Sequence, residues 1–303
     1  FGRAHAAQKA WASVPVSSRS EVLHRFHDLV HTHAAQLMDI LQAETGKSRA
    51  SAYEEVIHVA ITARYYGNNA EDLLRPRKAH GALPVLSQTT VHHHPKGVVG
   101  VISPWNYPLT LAISDAVAAI AAGNAVVLKP DSTTPFSALI AVDLMYRAGL
   151  PEDVIQVVPG PGSVVGQAIV ANADFLMFTG SSETGRSLAK QCGERLIDFS
   201  AELGGKNPLI VAEDANIAKA VEGARIASFT NSGHLCVSME RIYVADAVYD
   251  EFVPAFVERV RNMTLGAGYE WEVEMGSLQS QGQFDINDRD RKSGSAGMPR
   301  PIS

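Results

Sequence analysis

The sequence of 303 residues has few cysteines, no strong excess of charge of one sign and no long apolar run. Its two cysteines, Cys192 and Cys236, are too few for a disulfide framework or a cysteine-ligated zinc site, and they indicate a reducing, cytoplasmic environment. The 26 basic and 32 acidic residues are interspersed, so no basic surface predicts nucleic-acid binding. The longest nearly apolar run, Ala116 to Leu128, is too short to span a bilayer. We therefore expect a cytoplasmic protein whose partner is a small molecule, with neither nucleic acid nor membrane.

The first part of the chain carries helical patterns. Ser18-Arg-Ser-Glu21 has the form of a capping box, and the apolar residues that follow it recur at helical spacing. A second helix is predicted from about Ala50 to Tyr66, ending near Gly67. A linker at Arg75 to Pro84 precedes a predicted strand or hairpin at Val85 to His94. The three adjacent histidines of this strand point alternately to opposite faces and cannot converge on one ion, so we predict no metal site.

From Gly97 onward, short apolar strands alternate with helices. Strands are predicted at Val98 to Ile102, Ala125 to Leu128, Val154 to Val158 and Phe175 to Phe178. Helices are predicted at Leu109 to Ala122, Phe136 to Ala148 and Val164 to Ala171. This order indicates βαβ units and an α/β fold with a parallel sheet covered on both faces. Ligands of such sheets bind beyond the carboxyl ends of the strands, so the residues that follow each strand are the candidate site.

Small and polar residues stand at these strand ends. The segment from Gly180 to Gly185 is a small-residue turn that enters a helix, where backbone amides approach a phosphate closely. Lys129 is either a partner of a phosphate or ribose hydroxyl, or a surface lysine at a helix start. Gly160, Gly162 and Gly166 nearly match G-x-G-x-x-G, but a tight turn explains them at least as well.

Cys236 lies in Asn231-Ser-Gly-His-Leu-Cys-Val-Ser-Met-Glu-Arg241, among small and polar residues. Such surroundings favour a reactive thiolate, although a small core residue is the commoner role of a lone cysteine. Glu202 precedes two glycines, which suggests a close backbone approach beside it, although a lone glutamate is usually a solvated one.

Five blocks in order and spacing resemble the aldehyde dehydrogenase superfamily from Ala6 to about Phe284, most of all the bacterial NADP-dependent succinate-semialdehyde dehydrogenases. The blocks are Pro104-Trp-Asn-Tyr-Pro-Leu109, Gly123-Asn-Ala-Val-Val-Leu-Lys-Pro130, Phe178-Thr-Gly-Ser181, Glu202-Leu-Gly-Gly-Lys206 and Asn231-Ser-Gly-His-Leu-Cys236. The resemblance implies a Rossmann-like parallel-sheet cofactor domain over residues 1–204, with an oligomerisation-type hairpin at 76–95. It also implies the first part of an α/β catalytic domain over residues 205–284.

The resemblance implies roles for individual residues. Cys236 attacks an aldehyde to give a thiohemiacetal and then a thioester, the Asn106 amide and the Cys236 backbone N–H hold the oxyanion, and Glu202 is the general base. The cofactor is NADP, with NAD as the alternative, because Ser132 replaces a glutamate that repels a 2′-phosphate in NAD-preferring relatives. The cofactor-binding residues are Ile102, Ser103, Pro104, Trp105, Lys129, Ser132, Gly180, Ser181 and Leu203. His234 stands where relatives commonly have glutamine, either tuning the thiol or as a tolerated polar replacement.

The end of the chain departs from the family. Residues 285–303 match nothing in it and are polar and rich in Gly, Ser and Pro, so we expect a disordered tail. We also expect the chain to be poorly soluble or inactive. Turnover with NADP by the purified chain would contradict this. Members of the family form homo-oligomers, but the C-terminal strand that pairs with the oligomerisation-type hairpin is absent from this sequence. Two alternatives to aldehyde oxidation stay open, a remnant that at most binds dinucleotide and a thiol esterase that uses Cys236 and Glu202.

Overall fold

The computed structural model describes residues 1–83 and 86–294, of which 290–294 by their backbone only, and the chain divides into two compact units. The first unit contains Phe1–Ile40 and Tyr53–Gly205. The second unit contains Leu41–Ala52 and the chain from Lys206 onward. The inclusion of Leu41–Ala52 in the second unit has no counterpart in the sequence-based division. In the part of the chain described here, no helix is both long enough and apolar enough to cross a membrane.

Four helices open the chain: α1 Gly2–Ser13, α2 Val16–Thr32, α3 Ala34–Thr45 and α4 Arg49–Leu74. The predicted capping box is wrong, because Pro15 is the N-cap of α2 and Ser18 already lies inside the helix. The predicted helix end near Gly67 is also wrong, since α4 continues to Leu74. Gly67 has a packing role instead, because a Cβ at this position would lie 2.8 Å from His24 Cε1.

A short antiparallel hairpin follows, formed by β1 Arg77–Ala79 and β2 Thr89–Val91. β2 lies in the segment predicted as strand or hairpin. β1 lies in the segment predicted as a linker, so that interpretation is corrected: Arg77 and Lys78 occupy an exposed strand.

The core of the first unit is a parallel sheet of five strands in the order β5-β4-β3-β6-β7. The strands are β3 Val98–Ile102, β4 Ala125–Lys129, β5 Ile155–Val157, β6 Phe175–Gly180 and β7 Asp198–Leu203. The helices are α5 Pro108–Ala121, α6 Pro135–Arg147, α7 Gln167–Asn172 and α8 Ser182–Arg195, with a π-helical turn at Gly162–Gly166 before α7. The predicted α/β fold with a parallel sheet is confirmed. The sequence did not indicate β7 as a strand.

The second unit contains a two-stranded parallel sheet, β8 Asn207–Val211 and β9 Met239–Val244. Its helices are α9 Ile217–Phe229, α10 Asp246–Arg261 and α11 Gln281–Gly294, with a 3₁₀ turn at Thr230–Gly233. Val211, Val221, Ala224 and Phe252 form its buried apolar cluster. Arg259 adds ion pairs to Glu222 and Glu274, which fasten α10 to α9 and to the segment after α10.

The prediction of a disordered tail from Asp285 is corrected for residues 285–294, which belong to α11. Side chains support this helix at i, i+4 spacing: Gln281 Nε2 donates to Asp285 Oδ1 at 2.9 Å, and Asn287 Nδ2 donates to the Gln283 carbonyl oxygen at 2.9 Å. The prediction failed here because both prolines and one of the two glycines that suggested disorder stand after Gly294. Residues 295–303 lie outside the described residues.

Candidate functional site

Four parallel strands bring their carboxyl ends to one edge of the five-stranded sheet. Ile102 of β3 pairs with Lys129 of β4 on one side and with Phe178 of β6 on the other, and Gly180 pairs with Leu203 of β7. The connections therefore reverse direction at β3, and ligands of parallel sheets bind in the crevice outside such a point. The residues predicted to bind a cofactor all lie in or directly after these strand ends: Ile102, Ser103, Pro104, Trp105, Lys129, Ser132, Gly180, Ser181 and Leu203.

Lys129 is buried at this edge, with 5% of its surface exposed. Its Nζ donates to the Pro130 carbonyl oxygen at 2.8 Å. Burial lowers the pKa of Lys129, and the negative charge of Asp131 opposes this shift. The ammonium has three donors, and the backbone bond uses one, so the group can also bind ribose hydroxyls or phosphate oxygens.

Two buried hydroxyls lie at the same edge. Ser103 is 3% and Thr179 is 8% exposed, and among the described residues neither hydroxyl has a hydrogen-bond partner. A buried polar group without a partner costs about 1–3 kcal/mol, and these two hydroxyls lie at the strand ends where parallel sheets bind their ligands. Thr179 belongs to the block Phe178-Thr-Gly-Ser181, and the sequence indicated no role for its hydroxyl.

The end of β6 enters α8 through Gly180 and Ser181. Ser181 is the N-cap, and its Oγ accepts from the Thr184 backbone N–H at 3.3 Å. A Cβ at Gly180 would lie 2.5 Å from Phe178 Cζ, so a side chain at this position would require the Phe178 ring to move. A Cβ at Gly185 would likewise lie 2.7 Å from Leu203 Cδ2, which shows that Leu203 packs directly on α8. The unpaired N–H groups of a helix start are suited to a pyrophosphate.

Ser132 is exposed in the segment after β4, and its Oγ donates to the Gly160 carbonyl oxygen at 3.0 Å. Gly160 has a φ of 147°, a backbone conformation that favours glycine. The near-match to a glycine motif at Gly160 thus forms the turn after β5, next to Ser132. Together with Lys129 and the start of α8, this donor set fits a dinucleotide.

Asn106 and Glu202, two of the predicted catalytic residues, both belong to the first unit. Asn106 is half-buried in the segment between β3 and α5. Glu202 is exposed on β7 opposite Thr179 of β6. Burial raises the pKa of Asp115 to about 6, and the charge of Glu202 contributes to this rise. Asp115 was missed in the sequence, although a single carboxyl group within the apolar α5 segment was a visible signal.

Cys236, the third predicted catalytic residue, belongs to the second unit. Its thiol is exposed, in contrast to the buried Cys192. It lies in a turn that Ser238 closes by donating its backbone N–H to the Leu235 carbonyl oxygen at 2.9 Å. Asn207 also contacts this turn, and a lone asparagine before a proline gave no sequence signal for that role.

Burial lowers the pKa of His234 to about 4, with the charge of Lys47 as a further cause. The imidazole is therefore neutral near pH 7. A neutral ring cannot stabilise a thiolate as a cation would, which favours the interpretation of His234 as a tolerated polar replacement.

The comparisons with known proteins agree with this architecture. Residues 1–293 match the model of the aldehyde dehydrogenase family. A protein of Mycolicibacterium smegmatis, provisionally named as an NADP(+) succinate-semialdehyde dehydrogenase, is 56% identical over 284 residues, which are 94% of this chain and 55% of that protein. The chain thus spans about half the length of the curated relatives it matches.

Solved structures show the same fold. An NADP-dependent enzyme of E. coli superposes with a TM-score of 0.93 at 33% identity, over 98% of this chain and 62% of that one. An aldehyde dehydrogenase from Bacillus cereus, solved as its NAD+ complex, superposes with a TM-score of 0.91 at 32% identity, over 98% of this chain and 61% of that one.

Proposed function

Since the chain belongs to the aldehyde dehydrogenase family, we propose that it oxidises an aldehyde to the carboxylic acid, with succinate semialdehyde as the substrate and NADP(+) as the cofactor. The observation that carries the proposal is the strand-end edge of the five-stranded sheet, where Lys129, the unpaired hydroxyls and the start of α8 form a dinucleotide-type donor set. The substrate rests on the provisional name of the 56% identical relative.

The preference for NADP(+) rests on Ser132. A serine hydroxyl leaves room for a 2′-phosphate and can donate to it, whereas a carboxylate at the same place repels it. Lys129 supplies a nearby positive charge at the end of the paired strand β4. NAD(+) lacks the 2′-phosphate, so neither the Ser132 hydroxyl nor the Lys129 charge strengthens its binding in this way.

Cys236 is the proposed nucleophile. Its thiolate forms a C–S bond with the aldehyde carbon, and the carbonyl electron pair moves to the oxygen. The Asn106 side-chain amide and the Cys236 backbone N–H stabilise this oxyanion by donating hydrogen bonds to it. NADP(+), held by Lys129, Ser132 and the start of α8, would supply the oxidation by taking up the hydride that leaves this carbon. A thioester on Cys236 then remains.

Glu202 is the proposed general base. It takes a proton from a water molecule as the water oxygen attacks the thioester carbon. The C–S bond breaks, the carboxylic acid leaves and the Cys236 thiol is restored. A second proposed role of Glu202 is to remove the thiol proton before the first step.

The proposal is tested by separating binding from chemistry. NADP(+) binding is measured by calorimetric titration, and NADPH formation from succinate semialdehyde by absorbance. We expect binding in the unsubstituted chain, in Cys236→Ala and in Cys192→Ala, and a covalent adduct that only Cys236→Ala lacks. Oxidation that persists in Cys236→Ala overturns the assignment of the nucleophile.

A second candidate is a dinucleotide-binding chain without turnover, which is the outcome that the sequence-based expectation of an inactive chain predicts. It is favoured by one observation: the predicted cofactor residues all lie in the first unit, whereas Cys236 belongs to the second. Under this alternative NADP(+) raises the unfolding temperature, and no adduct forms on Cys236.

The two free cysteines also support a reducing, cytoplasmic location.

A further inference from the structure

The backbone of Cys236 is held by a side chain from another strand of its own unit. Asn207 Nδ2 donates to the Cys236 carbonyl oxygen at 2.8 Å and to the Ser238 carbonyl oxygen at 3.1 Å. A side-chain amide nitrogen has two hydrogens, and these two carbonyls take one each. The Asn207 donor is thus fully committed to the turn that carries the thiol.

Asn207 holds this position because of how β8 and β9 pair. It is the first residue of β8 and lies opposite Met239, the first residue of β9. The register shifts between Asn207 and Pro208, whose ring nitrogen has no N–H to donate. The Cys236 and Ser238 carbonyl oxygens therefore accept N–H groups from the Asn207 side chain just before the backbone pairing of β8 with β9 begins.

The other side of the same loop is also fixed. Asn231 has a φ of 52°, in the left-handed region, and its backbone N–H donates to Ser51 Oγ at 3.2 Å. Its side-chain Nδ2 donates to the His234 carbonyl oxygen at 3.2 Å. Ser232 Oγ donates to the Gly276 carbonyl oxygen at 3.0 Å. The thiol of Cys236 is thus exposed, while the backbone on either side of it is tied down.

We propose that Asn207 is a positioning residue for the nucleophile, which orients the main chain of Cys236 so that the thiol reaches a carbonyl carbon while the Cys236 N–H faces the developing oxyanion. The inference rests on the proposed function of Cys236. Carbonyl addition needs both groups aligned in one geometry, and a displacement of about 1 Å costs about a hundredfold in rate. Losing one oxyanion donor costs about a hundredfold or more.

Two reagents distinguish an effect on the orientation of the Cys236 backbone from a general loss of order in the surrounding turn. With 4-nitrophenyl acetate, the Cys236 thiolate forms a C–S bond, an oxyanion develops, the ester C–O bond breaks and 4-nitrophenolate leaves. With iodoacetamide, the same thiolate displaces iodide from an sp³ carbon and no oxyanion develops. Orientation of the backbone N–H matters for the first reaction only.

The test compares Asn207→Ala, Asn207→Gln and a control variant by mass spectrometry of Cys236. Asn207→Gln keeps both N–H donors on a longer side chain. The control is Asn172→Ala, which removes a similar bond from Nδ2 to the Ala168 carbonyl oxygen at 2.8 Å in the first unit. The buried Cys192 reports on unfolding within the same molecule.

For Asn207→Ala we expect acylation by the ester to slow by at least about tenfold, while alkylation by iodoacetamide changes by less than about threefold and Cys192 stays unmodified. Asn207→Gln restores part of the acylation rate, and Asn172→Ala leaves both reactions unchanged. Equal slowing of both reactions, faster labelling of Cys192, or unchanged acylation overturns the proposal, as does a Cys236 that is not acylated in the unsubstituted chain. Acylation that depends on Asn207 without any aldehyde oxidation would refute the proposed function and keep the positioning role.

Discussion

Asp115 on α5 and Glu202 on β7 are two carboxyl groups whose charges interact within the first unit. Burial raises the pKa of Asp115 to about 6, and the negative charge of Glu202 adds to the rise. Asp115 in turn contributes, after burial and Tyr65, to a raised pKa of Tyr66 on α4. Glu202 pairs with Thr179 of β6, so its side chain projects from the same sheet face as Met177. Met177 lines a cavity of about 320 Å³ together with Asp115 and Tyr66.

The first prediction concerns Asp115→Asn. The folded-state pKa of about 6 exceeds the ordinary 3.8, so the folded chain binds an extra proton between these pH values and stability falls as pH rises through the window. The destabilisation is complete above about pH 6. Asp115→Asn removes it and raises the free energy of unfolding at pH 7 by about 1–3 kcal/mol. Urea unfolding at several pH values checks this, with the exposed Asp143→Asn as the control, and a loss of stability at pH 7 would refute it.

The second prediction concerns His234 and acid. Its folded-state pKa of about 4 lies below the ordinary 6.5, so the unfolded chain binds the extra proton between these values. Stability is therefore full above about pH 6.5 and is lost as pH falls toward 4. His234→Gln should flatten this part of the stability profile, whereas the exposed His93→Gln should leave it unchanged. An identical acid profile for His234→Gln and the unsubstituted chain contradicts the burial argument.

The third prediction concerns cofactor selectivity at Ser132. Ser132→Glu introduces a carboxylate beside the expected 2′-phosphate and should weaken NADP(+) binding by about tenfold, with little effect on NAD(+). Ser132→Gln has nearly the same size without the charge, so it separates repulsion from steric effects. Calorimetric titration with both cofactors measures the change. If the unsubstituted chain prefers NAD(+) by about tenfold or more, the assignment of Ser132 is wrong.

The fourth prediction uses two glycines with opposite surroundings. A Cβ at Gly100 in β3 would overlap with Ile169 Cγ2 and lie 3.1 Å from Ala173 Cβ, so Gly100→Ala should lower the free energy of unfolding by about 1–3 kcal/mol. Gly193 in α8 has nothing within 4 Å of such a Cβ. Gly193→Ala should therefore raise stability by about 0.4–1 kcal/mol. Thermal unfolding of both variants checks the pair, and a shift in the same direction for both would show that the packing argument fails.

The sequence was most informative where one physical signal dominated. The strand Val98–Ile102 was predicted with its observed bounds, because it is buried on both faces and reads as a continuous apolar run. The strand Asp198–Leu203 was missed, because it lies at the edge of the sheet and mixes polar and apolar residues. The end of α4 was misplaced, because a glycine that allows close helix packing looks the same in a sequence as one that ends a helix.

The site residues also fall into those that the sequence predicted and those that it missed. Residues in spaced blocks, such as Lys129 and Gly180, were found because their surroundings repeat a recognisable order along the chain. Thr179 and Asn207 were missed, because their roles depend on which side chains the fold brings together. Asp115 was visible as a single carboxyl group in an apolar helix, but its interaction with Glu202 was not. An asparagine before a proline predicts a turn, and only the pairing of β8 with β9 directs its amide to the Cys236 carbonyl.

The most direct test of the central claim is the intact mass of the chain after a single exposure to succinate semialdehyde and NADP(+), quenched in acid. Glu202→Gln is used beside the unsubstituted chain, because loss of the general base traps the thioester. We predict one acyl adduct that maps to Cys236, requires NADP(+), accumulates in Glu202→Gln and is absent from Cys236→Ala. Binding of NADP(+) without any adduct on Cys236 in either chain would contradict this prediction and leave a dinucleotide-binding protein without this chemistry.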